Sequence, residues 1–110
     1  MSDVPTHRVE REGPVATVTL DRPDAMNAQT RASRRALVLD LRALADDAAV
    51  RCVLLTGEGR AFCAGQDLRE EGALEDVGAT IRETYIPIVE ALVEMPKPVI
   101  AAINGAAAGA

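Results

Sequence analysis

The chain has 110 residues, 48% of them hydrophobic and 26% charged, with a formal net charge of −5. That composition is near the globular average, bounds the chain at one domain with a modest core, and carries no basic stripe for nucleic acid. The start, MSDVPTHRVE, lacks the apolar stretch of a signal peptide, and no apolar run approaches the ~18 residues of a membrane span.

In chain order, His7 to Glu12 and Val15 to Leu20 (VATVTL) read as two strands turned through Gly13-Pro14. DRPDAMNA, residues 21–28, breaks the pattern with Pro23 and offers Asn27 as a helix cap. From Gln29 to about Asp47, Leu37, Leu41, Leu44 and Ala48 recur at helical spacing, with Arg35, Arg42 and Asp46 towards the opposite face. Arg51 to Thr56 (RCVLLT) is a short apolar run that predicts a strand buried on both faces. Ile81, Tyr85, Ile88, Leu92 and Met95 mark a second helix, kinked at Pro87 or beginning close to it. Val99 to Ile103 predicts another buried strand, and the small residues after Asn104-Gly105 predict the opening of a third helix. Hairpin, helix, strand, helix, strand implies right-handed βαβ crossovers in a layered α/β fold. Cys52 and Cys63 have no CxxC partner and read as buried thiols of a cytoplasmic protein, neither disulfide nor metal ligands.

In open α/β sheets, ligands sit beyond the carboxyl ends of the strands. TGEGRAFCAGQDL and NGAAAGA lie there, each able to present free backbone N–H groups to an incoming oxygen. Taken singly, a glycine after a buried strand usually makes only a turn. Taken together, two donors from different loops aimed at one point would form an oxyanion hole. GEGRAF begins like a dinucleotide-binding GxGxxG, but Phe62 stands where the third glycine belongs and no Walker lysine follows. Tight NAD binding would revive that reading.

The succession DRPDAMNA, RCVLLTGEGRAFCAGQDL and PKPVIAAINGAAAGA resembles the enoyl-CoA hydratase/isomerase (crotonase) family, from Val15 to the end of the chain. The form FCAGQDL, with Tyr-x-Pro before the second helix, most resembles the isomerases of phenylacetate degradation. The resemblance implies the N-terminal portion of a crotonase-like (ClpP/crotonase) α/β fold, an incomplete domain over residues 1–110. It also implies an acyl-CoA thioester substrate. No cofactor is implied beyond the CoA that the substrate carries. The backbone N–H groups of Gln66 and Ala110 would form the oxyanion hole. Asp24, Ala25, Met26 and Ala64 would help bind the CoA adenine and pantetheine. Asp67 and Leu68 would line the acyl-CoA channel, with Gly65 and Gly109 letting the CoA chain approach the backbone. A trimer or hexamer is implied for the full-length family member.

Acid/base carboxylates are expected beyond residue 110, where the family places them. Within the chain, Glu70, Glu71, Glu75 and Asp76 read as a solvated acidic helix face, His7 as a surface residue on an edge strand, and Cys63 as a small buried filler. No Ser-His-Asp set can be assembled. The alternative to an enzyme is a truncated, non-catalytic acyl-CoA-binding or interaction module. Strands apolar on both faces with few helices to cover them predict a chain that is marginally stable, oligomeric or aggregation-prone.

Overall fold

The computed structural model describes residues 6–109. Strands β1 (His7–Glu12) and β2 (Val15–Leu20) form the expected antiparallel hairpin, with Val9 opposite Val18. Helix α1 (Arg31–Asp46) carries the chain to β3 (Cys52–Gly57), which pairs parallel to β2. After the short β4 (Ala61–Cys63), a continuous helical stretch runs through α2 (Val77–Thr80), a π-helical turn (Ile81–Tyr85) and α3 (Ile86–Val93). Strand β5 (Val99–Ala101) then pairs parallel to β3, and β6 (Ala106–Ala107) pairs parallel to β4. The main sheet has the order β1-β2-β3-β5. The two successive crossovers run in one direction, and α1 and α3 pack on the same face of the sheet, as crossovers of one hand require.

Side-chain parity shows which face that is. Ala16, Val18 and Leu20 stand beside Val53 and Leu55, and these beside Val99. They pack on Leu37, Leu41 and Leu44 of α1 and on Ala91 and Met95, forming the core. Full burial of one such leucine stabilises by about 1.5–3 kcal/mol. The opposite face has no helix, so Leu54 is only half-buried and Ile100 is 51% exposed. The expectation of strands buried on both faces therefore fails for β3 and β5. One layer of helix covers one side only.

Several local expectations are corrected. Asn27 does not cap α1. Thr30 does, accepting from Ser33 N at 3.1 Å while Ser33 Oγ accepts from Thr30 N at 2.8 Å. The second helix begins at Val77, well before Pro87. The π turn ahead of Pro87 closes with Ile86 N–H donating to Ile81 O, a widening next to a residue that cannot donate. Residues 70–76 form turns, not a helix, and both Glu70 oxygens accept from Arg31 N at 3.1 Å, at the start of α1. The tail makes β6 where a helix was expected, since pairing with β4 satisfies its backbone groups. His7 is buried, not on the surface. Its parity in β1 matches Val9, so its ring faces α1 and meets Asp40 Oδ2 at 2.6 Å. Cys63 is buried as expected, Cys52 only half-buried, and neither is in a disulfide. No helix is long and apolar enough to cross a membrane.

Candidate functional site

Because β2, β3 and β5 are parallel, the segments that follow them, residues 21–30, 57–66 and 102–109, leave the sheet at one edge. There they form a second layer held by backbone and amide hydrogen bonds. Two asparagines clamp the loop after β3. Asn27 is fully buried, accepts from Arg22 N at 2.8 Å, and donates to Glu58 O and Ala61 O at 3.0 and 2.9 Å. From the other side, Asn104 donates to Gly59 O and Ala61 O at 3.0 and 3.1 Å and accepts from Gly57 N at 3.1 Å. At Gly105 the β6 backbone lies so close that a Cβ would meet Arg60 O at 2.0 Å. The sequence reading missed the asparagine clamp; an Asn in the loop after β2 and another in the loop after β5 is the signal that could have marked it.

Gln66 lies between two neighbouring chains. Gln29 N donates to Gly65 O at 2.7 Å and Asp67 N donates to Gln29 O at 2.9 Å, the pattern of a parallel bridge between Gln29 and Gln66. In such a bridge the flanking residues of one chain bond the central residue of the other. The N–H of Gln66 itself therefore points to the opposite side, where the chain leaving β6 runs. It has no acceptor among the described residues. That chain arrives closely: Ala108 N donates to Cys63 O at 3.0 Å, and a Cβ on Gly65 would lie 2.9 Å from Ala108 O and 3.3 Å from Gly109 Cα. With φ at +101°, Gly65 occupies a backbone conformation that other residues rarely adopt. Gly65, Gln66 and Gly109 are thus brought together. Ala110, the other expected oxyanion donor, lies outside the described residues.

The remaining expected residues divide into two groups. Met26 and Ala64 are joined, Ala64 N donating to Met26 O at 3.0 Å, with half-buried Ala25 and exposed Asp24 on the short turn before them. Leu68 is 66% exposed. Asp67 is different. Its carboxylate is buried and accepts from the Arg69 side chain at 3.2 and 3.3 Å and from Arg22 Nη2 at 3.1 Å. Arg69, then the Arg69 N–H and Arg22, outweigh burial and hold this carboxyl down at about 2. A carboxylate so committed is an anchor for the loop, poorly suited to take up a proton. Arg22 also donates to Ala28 O within its own loop, so its bond to Asp67 ties that loop to the one after β3.

Beneath this layer lies an apolar pocket of about 280 Å³ between the sheet and α3. Leu20, Leu37, Leu55 and Leu92 line it together with Gln29, Phe62, Cys63 and Tyr85. Cys63 and Gln29 belong to both pocket and loop layer, so the pocket lies under the strand that carries Gln66. Among the described residues, no group of three or more His, Cys, Asp or Glu could hold a metal ion.

Residues 10–110 match the family model described as enoyl-CoA hydratase/isomerase. The chain is 44% identical over 101 residues to 1,2-epoxyphenylacetyl-CoA isomerase from Escherichia coli, covering 87% of this chain and 38% of that protein. It is 41% identical over 102 residues to 2,3-dehydroadipyl-CoA hydratase from the same organism, covering 93% of this chain and 40% of that protein. Among solved structures, an enoyl-CoA hydratase/isomerase from Mycobacterium paratuberculosis superposes with a TM-score of 0.79 at 32% identity, over 94% of this chain and 43% of that one. The chain spans about two fifths of the length of the curated relatives it matches.

Proposed function

The chain belongs to the enoyl-CoA hydratase/isomerase family, and from that premise we propose that it binds an acyl-CoA thioester and polarises the thioester carbonyl in an oxyanion hole. The Gln66 N–H is one donor and the Ala110 N–H the other. As the α-carbon of the thioester is attacked or deprotonated, negative charge grows on the carbonyl oxygen, and two fixed donors stabilise that charge more than they stabilise the ground state. Met26, Ala64 and the turn at Asp24-Ala25 form the CoA side of the site, and the thioester lies across Gly65 and Gly109. Proton transfer belongs to carboxylates outside these 110 residues, and no cofactor is needed beyond CoA itself. A homo-oligomer is part of the same proposal.

The observation that carries this reading is the contact of Gly65 with Gly109, the glycines that precede the two expected donors in the sequence. The direction of the Gln66 N–H, away from Gln29, supports it. The test is titration of the chain with acetoacetyl-CoA, following its enolate absorbance. Binding with a rise in enolate absorbance is expected. Binding of CoA and the thioester alike, with no change in absorbance, would remove the oxyanion hole from the proposal.

A second reading, binding without turnover, is favoured by one feature. The nearest carboxylates are engaged elsewhere, Asp67 with two arginines and Glu70 with the start of α1. Turnover of an enoyl-CoA by these 110 residues would exclude it.

A further inference from the structure

One charged group in the core is not explained by packing or by the proposed oxyanion hole. Arg34 of α1 is fully buried and forms no ion pair among the described residues. Its Nε donates to Thr84 Oγ1 at 2.9 Å, and Nη1 donates to Gln29 O at 2.9 Å and to the Tyr85 hydroxyl oxygen at 3.1 Å. Nη2 is buried with no partner at all. The guanidinium also stacks on the Tyr85 ring, 4.2 Å from its centroid. A buried donor without an acceptor costs about 1–3 kcal/mol, more when charged. Such an orphan in a native fold calls for an explanation.

Two of the three partners of Arg34, Thr84 and Tyr85, lie in the π-helical turn, a local irregularity that recurs at functional sites. Tyr85 also lines the apolar pocket beneath the Gln66 strand. Since its phenolic oxygen accepts from Arg34, its own O–H remains available to donate elsewhere. Burial pushes the phenol above its ordinary value, which keeps that proton in place at neutral pH.

We propose that Tyr85, held by Arg34, is the polar end of the acyl pocket and selects acyl chains that carry an acceptor oxygen, a carboxylate or a ketone, remote from the thioester. The inference rests on the acyl-CoA reading above. An apolar wall of Leu20, Phe62 and Leu92 takes the methylenes, and the Tyr85 hydroxyl, its oxygen fixed by Arg34 behind it, donates to the acyl oxygen. Sites built to bond an oxygen discriminate strongly against analogues that lack it, because their own polar groups are then left unpaired.

Calorimetric titration of the chain with glutaryl-CoA, 4-oxopentanoyl-CoA, pentanoyl-CoA and CoA tests this. Glutaryl-CoA or 4-oxopentanoyl-CoA, or both, should bind about tenfold or more tighter than pentanoyl-CoA. Tyr85→Phe should erase that ratio. Arg34→Lys, which retains the charge but not the fork, should reduce the ratio with an unaltered far-UV spectrum. A gain confined to glutaryl-CoA assigns the selection to a carboxylate, and an equal gain for the ketone assigns it to a neutral acceptor. If the three thioesters bind equally, or if Tyr85→Phe leaves the ratio intact, the inference is overturned and acyl-CoA binding stands. If neither CoA nor any thioester binds, both fall together.

Discussion

Between Val18 and Leu41 the molecule is apolar and close-packed, with both residues fully buried. Between Asn27 and Asn104 it is almost entirely backbone and amide, and residues 100–109 are exposed throughout. The first region is held by area removed from water, which has no preferred direction. The second is held by directional bonds and by glycines that let chains touch. The difference explains how one small chain can keep a thermodynamic core and a geometric site apart. Substitutions in the core should change how much protein is folded. Substitutions in the loop layer should change what the folded protein binds.

The largest effect is expected from Leu41→Ala. It opens a cavity in the best-packed part of the core and should cost about 3 kcal/mol, a fall in melting temperature of roughly 15 °C. The folded fraction should still bind acyl-CoA with native affinity. Weakened binding at temperatures where the variant is fully folded would break the separation between the two regions.

Asn27→Ala comes next, at about 2 kcal/mol, because it removes the partner of Arg22 N and of Glu58 O and leaves Ala61 O to Asn104 alone. Asn104→Ala, in an exposed position, should cost about 1 kcal/mol. Both amides donate to Ala61 O, so the double variant should deviate from additivity, and chemical denaturation of all four proteins measures the coupling. Strict additivity would mean the two clamps act on separate loops.

Gly65→Ala sharpens the comparison from the other side. The +101° backbone and the approach to Ala108 O cannot accept a Cβ without displacing one chain from the other. A loss of about 1–2 kcal/mol is expected from strain, small beside Leu41→Ala. Thioester affinity, however, should fall at least about tenfold, since the Gln66 N–H would lose its alignment. Equal losses in stability and binding would show that Gly65 serves packing alone.

How much of this was legible depended on the range of the interactions. The hairpin and α1 follow from local periodicity, and the structure reproduces them within a residue or two. The convergence of the loops after β3 and β5 follows from parallel strand order, which the alternation of strands and helices already implied. His7 was misplaced although its signal was present, since it shares parity with Val9, the one apolar residue of the strand. The tail was misread because AAAGA has local helical preference, whereas β6 depends on a partner 45 residues upstream in β4. Arg34 was missed. Its spacing from Leu37 and Leu41 places it on the inward face of α1, but the π turn that encloses its charge forms far along the chain. Non-local partners are what sequence spacing carries least.

The smallest expected effect isolates the one buried charge of the loop layer. Asp67 is held at about 2 by Arg69 and Arg22, below the ordinary aspartate value of about 4. A carboxyl depressed in the folded state contributes stability that is complete above its unfolded value and is lost as pH falls through the folded one. Between about pH 4 and pH 2 the native chain should therefore lose stability, and Asp67→Asn should lose less. Asp47 and Glu58 are also depressed, by the Ala49 N–H and Arg11 for the first and by Arg8 for the second, but both pairs lie at the surface. Salt screens exposed pairs far more than buried ones. At high salt, what remains of the acid-dependent loss should be the part that Asp67→Asn removes. If native chain and variant then titrate alike, the Arg22–Asp67 link between the first and second loops carries no energy, and the loop layer is held by its amides and glycines alone.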